Sequence, residues 1–407
     1  MAELKRTLGA AECIFFGVGS ILGAGIYTLI GKVAGVAGNM VWLSFLIASV
    51  TALFTAFSYA ELSASIPKAG AEYAYAKRAL GKKMGVFLGF VISINGIVSG
   101  STVAIGFAGY LQELVSINLL IAALGLIVLI FLVNVSGIRE SSTVNIIFTL
   151  IEAGGLLFVI YAALPDIGNA NLTELPPDGI NGLLTAAALA FFAFIGFEEI
   201  VKLSEETKNP QKTIPIALFT ASIIVIIVYT AISVSAVSTL PYEELGKSAS
   251  PMAAITEGRF GATGVLVISV IALFATSNTV LSNMLGSSRV LLDMGKEIKF
   301  MNVFSKVSAK SKTPVAALIL ILIVMCCFAL IGDIEIVARI AAIFIFITFM
   351  MVNLSVIFLR IKEKDMERPF RIPLNINNIP VISVLGIIMT LLLFGYNIYD
   401  LVIAGAE

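Results

Sequence analysis

Apolar residues gather along the chain in runs of about twenty, parted by short polar stretches. The runs fall at 10–36, 40–62, 84–114, 117–135, 145–164, 181–203, 214–240, 264–292, 314–331, 336–359 and 380–402. Each is long enough, or nearly so, to cross about 30 Å of hydrocarbon as a helix rising 1.5 Å per residue. The pattern predicts an all-α polytopic membrane protein with 11 transmembrane spans. Turn chemistry agrees with the divisions. Thr313 and Pro314 offer a cap and a first-turn proline, and Asn209, Pro210 and Pro215 mark the end of one helix and the start of the next.

Two runs carry a defect near their middle. The first holds Gly17, Gly19, Gly23 and Gly25, each costing about 1 kcal/mol relative to alanine inside a helix. Either these glycines let a neighbouring helix pack closely, as the spacing of Gly19 and Gly23 suits, or the helix is broken there. Unwound backbone at membrane depth is tolerated only where protein buries it or it lines a cavity. The sixth run reads Phe191, Phe192, Ala193, Phe194, Ile195, Gly196, Phe197, Glu198, Glu199. Each carboxylate would cost about 3 kcal/mol facing lipid, so both must face protein or water. An acidic loop at 164–179 separates the first five runs from the rest, so the weakened helices open two halves in corresponding positions. Paired interruptions of this kind point to the binding site of an inverted-repeat transporter.

A broken helix offers backbone amides at the positive start of its second half and free carbonyls at the end of its first. A carboxylate can settle on the amides of Gly23, Ala24, Gly25 and Ile26. An ammonium can take carbonyls near Ile21 and along Phe192, Ala193, Phe194 and Ile195, beside Gly196. That arrangement would select an α-amino acid.

Composition and charge narrow the reading. Hydrophobic residues make up 59% of the 407 and charged residues 13%, against about 25% charged in soluble domains. The stretch before the first run is short and polar and the run itself too long for a signal core, so the first helix is expected to be retained. Of the 26 Lys and Arg residues, 22 fall in one set of alternate loops, among them Lys5, Arg139, Lys310 and Lys312. The opposite set has only Lys32, Lys247, Arg259 and Arg339. By the positive-inside rule the N-terminus is expected in the cytoplasm and the C-terminus outside the cell membrane. Histidine is absent, which removes the commonest general base and metal ligand. Cys13, Cys326 and Cys327 have no metal-ligand or disulfide spacing. No cofactor, catalytic residue, metal site or nucleic-acid partner is expected. The competing classes are an ion channel or ion carrier, and a membrane-embedded enzyme for which no catalytic motif is present.

Residues 19–27 resemble the glycine-rich first-helix motif of amino acid permeases of the amino acid/polyamine/organocation (APC) superfamily. Residues 191–198, continuing through 204–210 to 214–217, are similar to that superfamily's sixth-helix signature, with lesser matches at 71–75 and 286–291. The resemblance implies a LeuT-type core of two inverted five-helix repeats with discontinuous helices 1 and 6. Repeats at 1–165 and 166–361 would be followed by an additional helix in 362–407, with substrate held between helices one and six. Many members have twelve spans, so the role of later helices, and whether the protein is a monomer or homodimer, is open.

Alignment with the family puts Glu152 where proton-coupled relatives often carry a lysine. Glu152 is a candidate to carry the coupling proton, since burial disfavours a charged carboxylate; it also fits a cation ligand or a structural carboxylate bonded to a neighbouring helix. Asn95 stands where relatives selective for cationic amino acids tend to have an acid, which favours neutral substrates. Glu198 pulls the other way, as a partner for a cationic side chain, a proton-sensitive gate or a carboxylate favoured by a helix start. Ser277, Asn278, Ser282 and Asn283 fit either a pathway lining or polar helix contacts. Glu205, Glu206, Lys202 and Lys208 read as caps or ion pairs, and the basic stretch 296–312 as lipid-headgroup contact. The expected function is proton-coupled symport of neutral amino acids by alternating access, with exchange of amino acids, or transport of cationic amino acids or polyamines, as alternatives.

The charge asymmetry makes a direct prediction. A phosphatase fused to the C-terminus should be active and a green fluorescent protein fused there dark, as for an external tail; the reverse pair of signals would invert the assigned orientation.

Overall fold

The computed structural model describes residues 6, 8–68, 71–137, 142–308, 311 and 313–404. Lys5, Arg139, Lys310 and Lys312, four of the charges used for orientation, lie outside the described residues. The helices are α1 (Ala10–Leu22), α2 (Ala24–Ala37), α3 (Val41–Ser65), α4 (Ala71–Leu80), α5 (Lys82–Gln112), α6 (Leu119–Ser136), α7 (Ser142–Ala163) and α8 (Gly179–Ala190). They continue as α9 (Glu199–Lys202), α10 (Pro210–Thr239), α11 (Tyr242–Lys247), α12 (Pro251–Glu297), α13 (Val315–Ala329), α14 (Ile334–Lys362) and α15 (Val381–Ala404). A two-residue hairpin, β1 (Asn375–Ile376) with β2 (Ile379–Pro380), interrupts the helices. Its loop, Asn377 and Asn378, takes positive φ at both positions, as a tight hairpin turn requires.

Among the described residues, nine helical runs are long and apolar enough to cross a membrane. The first of these, Ala10–Ser65, contains the first two predicted spans end to end. The predicted ninth span is the shorter apolar helix Val315–Ala329. The chain is therefore a multi-pass, almost wholly helical membrane protein. Its surface shows why: on α6, Ala122, Ala123, Leu126 and Ile127 are buried while Ile121, Leu129 and Leu132 stand exposed. A helix apolar on both faces suits hydrocarbon on one side and protein on the other.

Two elements differ from the hydropathy reading. The eighth run extends back to Pro251, bending at Gly261 (φ 55, ψ −146). Its first turns carry Thr256, Glu257 and Arg259, so an apolar window passes over them although Met252, Ala253 and Ile255 are buried. Helix α4, too polar for a span, buries Ala71, Glu72, Tyr75, Ala76 and Ala79 along one face.

Helix ends are closed by side chains. Asn118 accepts from the amides of Leu120 (2.9 Å) and Ile121 (3.3 Å) at the start of α6, and Asp333 from Glu335 (2.8 Å) and Ile336 (3.1 Å) at the start of α14. Side chains on α15 dock it on the bundle. Ser383 and Asn353 both bond Ser58 (2.8 and 2.6 Å), Asn397 donates to the Arg339 carbonyl (2.9 Å), and Asp400 pairs with Arg339 (2.8 Å).

A buried ionic cluster ties α3 to the far end of α14. Glu61 accepts two N–H bonds from Arg360, one from the Ile372 amide (2.8 Å), and pairs with Arg368 (3.3 Å). Arg360 and Glu61 are 1% and 3% exposed at their side chains, so removing Glu61 leaves Arg360 as an uncompensated buried charge. Glu61→Ala should lower stability by about 3–5 kcal/mol. Asp293→Asn, which breaks an exposed pair with Lys296, should cost about 1 kcal/mol or less. Thermal unfolding of the two purified variants in detergent checks the contrast.

Candidate functional site

The first helix is interrupted at one residue. Helix α1 ends at Leu22, Gly23 takes φ −39 and ψ −160, and α2 begins at Ala24. In the sixth run the α-helical ladder stops at Ala190 and tightens into a 3₁₀ turn over Phe191–Phe194. Ile195 is then extended, Gly196 has φ +125, and α9 resumes at Glu199. That φ strongly favours glycine.

The two irregular stretches touch each other through their glycines. A Cβ built on Gly25 would lie 2.8 Å from Ala193 Cα, and one on Gly196 only 2.2 Å from the Ser20 carbonyl oxygen. Gly17 and Gly19 pack instead against side chains: their Cβ positions would meet Ile200 Cδ1 at 2.3 Å and Thr149 Oγ1 at 1.9 Å. The first stretch thus contains both packing glycines and a break.

A cavity of about 280 Å³ opens beside this contact. Ile21, Gly23, Ala24 and Gly25 line it from the first stretch, and Phe192, Ile195, Gly196 and Glu198 from the second. Asn95 lines it from α5, and Asn278, Ser282 and Asn283 from α12. The exposure of Ser282, Gly286 and Arg289 gives one end access to solvent. Beyond Gly25 the path is shut. Tyr110 donates to the Tyr27 carbonyl (2.7 Å), a Cβ on Gly106 would be 2.0 Å from Thr28 Cγ2, and one on Gly109 2.3 Å from the Ala249 carbonyl oxygen.

Four residues read from the sequence as candidates for the site or its pathway lie off the cavity lining. Ile26 is fully buried in α2, its amide being one of the first in that helix. Phe194 turns away, its ring 5.1 Å from Tyr229 and 6.4 Å from Phe45. Glu152 is buried in α7, its Oε1 without a hydrogen-bond partner among the described residues, while its carbonyl accepts from Tyr27 (2.7 Å). It sits one helical turn from Thr149, which does line the cavity. Ser277 is not part of the lining either.

Tertiary structure adds groups that the sequence reading did not assign. The Tyr229 hydroxyl reaches both irregular stretches at once, donating to the Ile21 carbonyl (2.6 Å) and the Ala193 carbonyl (3.0 Å). Its single proton is shared between two of the carbonyls anticipated for an ammonium. Thr279 Oγ1 accepts from the Ala24 amide (3.3 Å), which engages one of the amides anticipated for a carboxylate. Glu198 Oε2 accepts from the Gly196 amide (2.9 Å), closing the kink on itself. Glu199 pairs with Lys202, and Glu72 accepts from Tyr59 (3.2 Å); all three residues Glu72, Glu199 and Lys202 line the cavity. The available signal for Tyr229 was a hydroxyl in an apolar helix, which many helices share, and for Thr279 its place directly after Ser277 and Asn278.

The architecture is that of a helical membrane protein with a solvent-accessible cavity beside the break at Gly23 and the irregular stretch 191–198. The chain belongs to the amino acid permease family, which it matches over residues 8–402, and so to the APC superfamily; it is a transport protein and not an enzyme. It is 29% identical to the branched-chain amino acid permease BcaP of Bacillus subtilis, over 96% of this chain and 88% of that one. It is also 29% identical to the methylthioribose transporter of Bacillus subtilis, over 94% and 87% of the two chains. Identity to the vacuolar cationic amino acid transporter 4 of Arabidopsis thaliana is 30% over 89% of this chain, which spans 64% of that longer protein.

The contact between the stretches makes a graded prediction. Gly196→Ala, strained in φ and meeting backbone, and Gly25→Ala, meeting backbone, should each lose more than about 1 kcal/mol. Gly125→Ala, whose Cβ would have nothing within 4 Å, should be neutral or slightly stabilising. Thermal unfolding of the three variants in one detergent decides it.

Proposed function

We propose that the chain is a secondary amino acid transporter working by alternating access. In this reading, substrate is held where the two interrupted stretches meet, in a LeuT-type arrangement of two inverted five-helix repeats followed by α15. The observation that carries the proposal is the reciprocal packing of Gly25 on Ala193 and Gly196 on Ser20 beside a cavity closed at one end. It leaves helix-start amides and helix-end carbonyls near one another, the complement of a zwitterion. The carboxylate goes to the amides of Gly23, Gly25 and Ile26, with Ala24 shared with Thr279. The ammonium takes the second lone pairs of the Ile21 and Ala193 carbonyls, or displaces the Tyr229 hydroxyl from them. Charge placement puts the open end of the cavity, with Lys202 and Arg289, toward the cytoplasm.

Coupling is to protons, with Glu152 as the carrier. Support comes from its burial, its unpartnered Oε1 among the described residues, and its place on the helix face that Thr149 presents to the cavity. Neutral substrates are favoured by Asn95, and by Glu198 being turned back on the Gly196 amide. A second reading, transport of cationic amino acids, draws on the names of several relatives and on the three carboxylates of the lining, Glu72, Glu198 and Glu199.

Reconstitution in liposomes tests the proposal. An inwardly directed proton gradient should drive accumulation of a labelled amino acid. Glu152→Gln should keep counterflow yet lose gradient-driven accumulation about ten-fold or more. Protein that neither binds nor moves any amino acid, with or without a gradient, would sink the transporter reading; counterflow indifferent to pH in the wild type would replace symport with exchange.

A further inference from the structure

Away from Arg289 at its open end, the cavity receives a set of uncharged hydrogen-bonding groups from α5, α12 and α14. Asn95 and Ser99 come from α5, Asn278, Ser282 and Asn283 from α12, and Thr348 from α14. Apolar residues such as Ile92, Val103 and Ile345 lie among them. Some of this polarity serves the fold: Ser99 donates to Asn95 Oδ1 (3.4 Å), and Thr348 to the Phe344 carbonyl (2.9 Å). Asn278 is different. Its Oδ1 is buried and has no hydrogen-bond partner among the described residues, although the residue lines the cavity.

The carboxylates of the lining are occupied otherwise. Glu198 holds the Gly196 amide, Glu199 holds Lys202, and Glu72 receives the Tyr59 hydroxyl. A cationic side chain would have to compete for each of them. A volume near 280 Å³ lies just below the usual range of ligand cavities, about 300–1,000 Å³, which suits one amino acid and leaves little room for an extended polyamine.

We infer that the substrate side chain is polar and uncharged, an amide or hydroxyl that both donates and accepts, and that Asn278 is the residue that selects it. The inference rests on the amino acid transporter reading and names the substrate class of that same site. The physical reason is asymmetry in specificity. A site that hydrogen-bonds its ligand rejects an analogue lacking those groups strongly, because its own buried polar atoms are left unpaired. An aliphatic side chain against Asn95 and Asn278 would displace water from their amides and offer no partner in return. A glutamine, asparagine or threonine side chain supplies donors and acceptors to these amides and hydroxyls, and a turn of the Asn278 amide toward the cavity gives its buried Oδ1 the partner it lacks.

The test is calorimetric titration of the purified full chain in detergent with glutamine, asparagine, threonine, leucine and arginine. The expected result is that at least one of the three polar amino acids binds about ten-fold or more tighter than leucine and arginine. Asn278→Leu should weaken that ligand about ten-fold while leaving leucine binding equal or stronger. Ser282→Val, at an exposed position of the lining, provides a second variant that disturbs no packing and should move selectivity in the same direction. Leucine binding as tightly as the polar ligands, arginine binding tightest, or selectivity unmoved in folded Asn278→Leu or Ser282→Val would overturn the inference while leaving a transporter. Failure of all five, and of the remaining standard amino acids, would bring down the transporter reading along with it.

Discussion

The structure depends on how unpaired backbone is kept inside a membrane. Each interruption of a helix exposes amides and carbonyls that hydrocarbon cannot satisfy, and here the two interrupted stretches are pressed together so that they share partners. Glycine makes the approach possible: Gly25 lies on Ala193 and Gly196 on Ser20 at distances that leave no space for a Cβ. One hydroxyl, that of Tyr229, spans the carbonyl ends of both stretches. Thr279 meets an amide at the start of α2 and Glu198 one at Gly196. The polar backbone is thus held by neighbouring groups beside a cavity, which is the condition under which such breaks persist.

Around that contact the bundle separates binding from anchoring. One end of the cavity is closed by backbone and small residues, with Tyr110 on Tyr27 and Gly109 under Ala249, while the other reaches solvent past Ser282 and Gly286. Away from it, the Glu61 cluster and the Ser58, Asn353 and Ser383 contacts tie α3, α14 and α15 together. Charges buried in that cluster are each matched, so they hold positions without offering a vacant partner. Glu152 belongs to neither group: it is buried beside the cavity and only partly satisfied.

Much of the site was legible because its chemistry lies in the backbone of short contiguous stretches. Gly23, Gly25, Gly196 and Glu198 stand out as helix-weakening or charged residues within apolar runs, Ala24 and Ile195 lie beside them, and all six line the cavity. Ile26 and Phe194 were singled out by the same local logic, yet their side chains pack away from it, since neighbours along an interrupted helix point in different directions. The amphipathic start of α12 escaped a reading by hydropathy because its polar face masks residues that bury the other.

By itself the sequence determined the class of protein: a chain of apolar runs this long with so little charge must cross a membrane as helices, and two runs must be weak near their middles. It also determined the family, through local motifs that survive in linear order. Only the tertiary structure decided which glycines pack and which opens the backbone: Gly17, Gly19 and Gly25 each lie against a neighbour, while the break falls at Gly23. It likewise decided that Tyr229, Thr279 and Asn278 meet the two stretches or the cavity. A side chain distant in sequence acquires a partner only when helices pack, and no local periodicity records which groups that packing brings face to face.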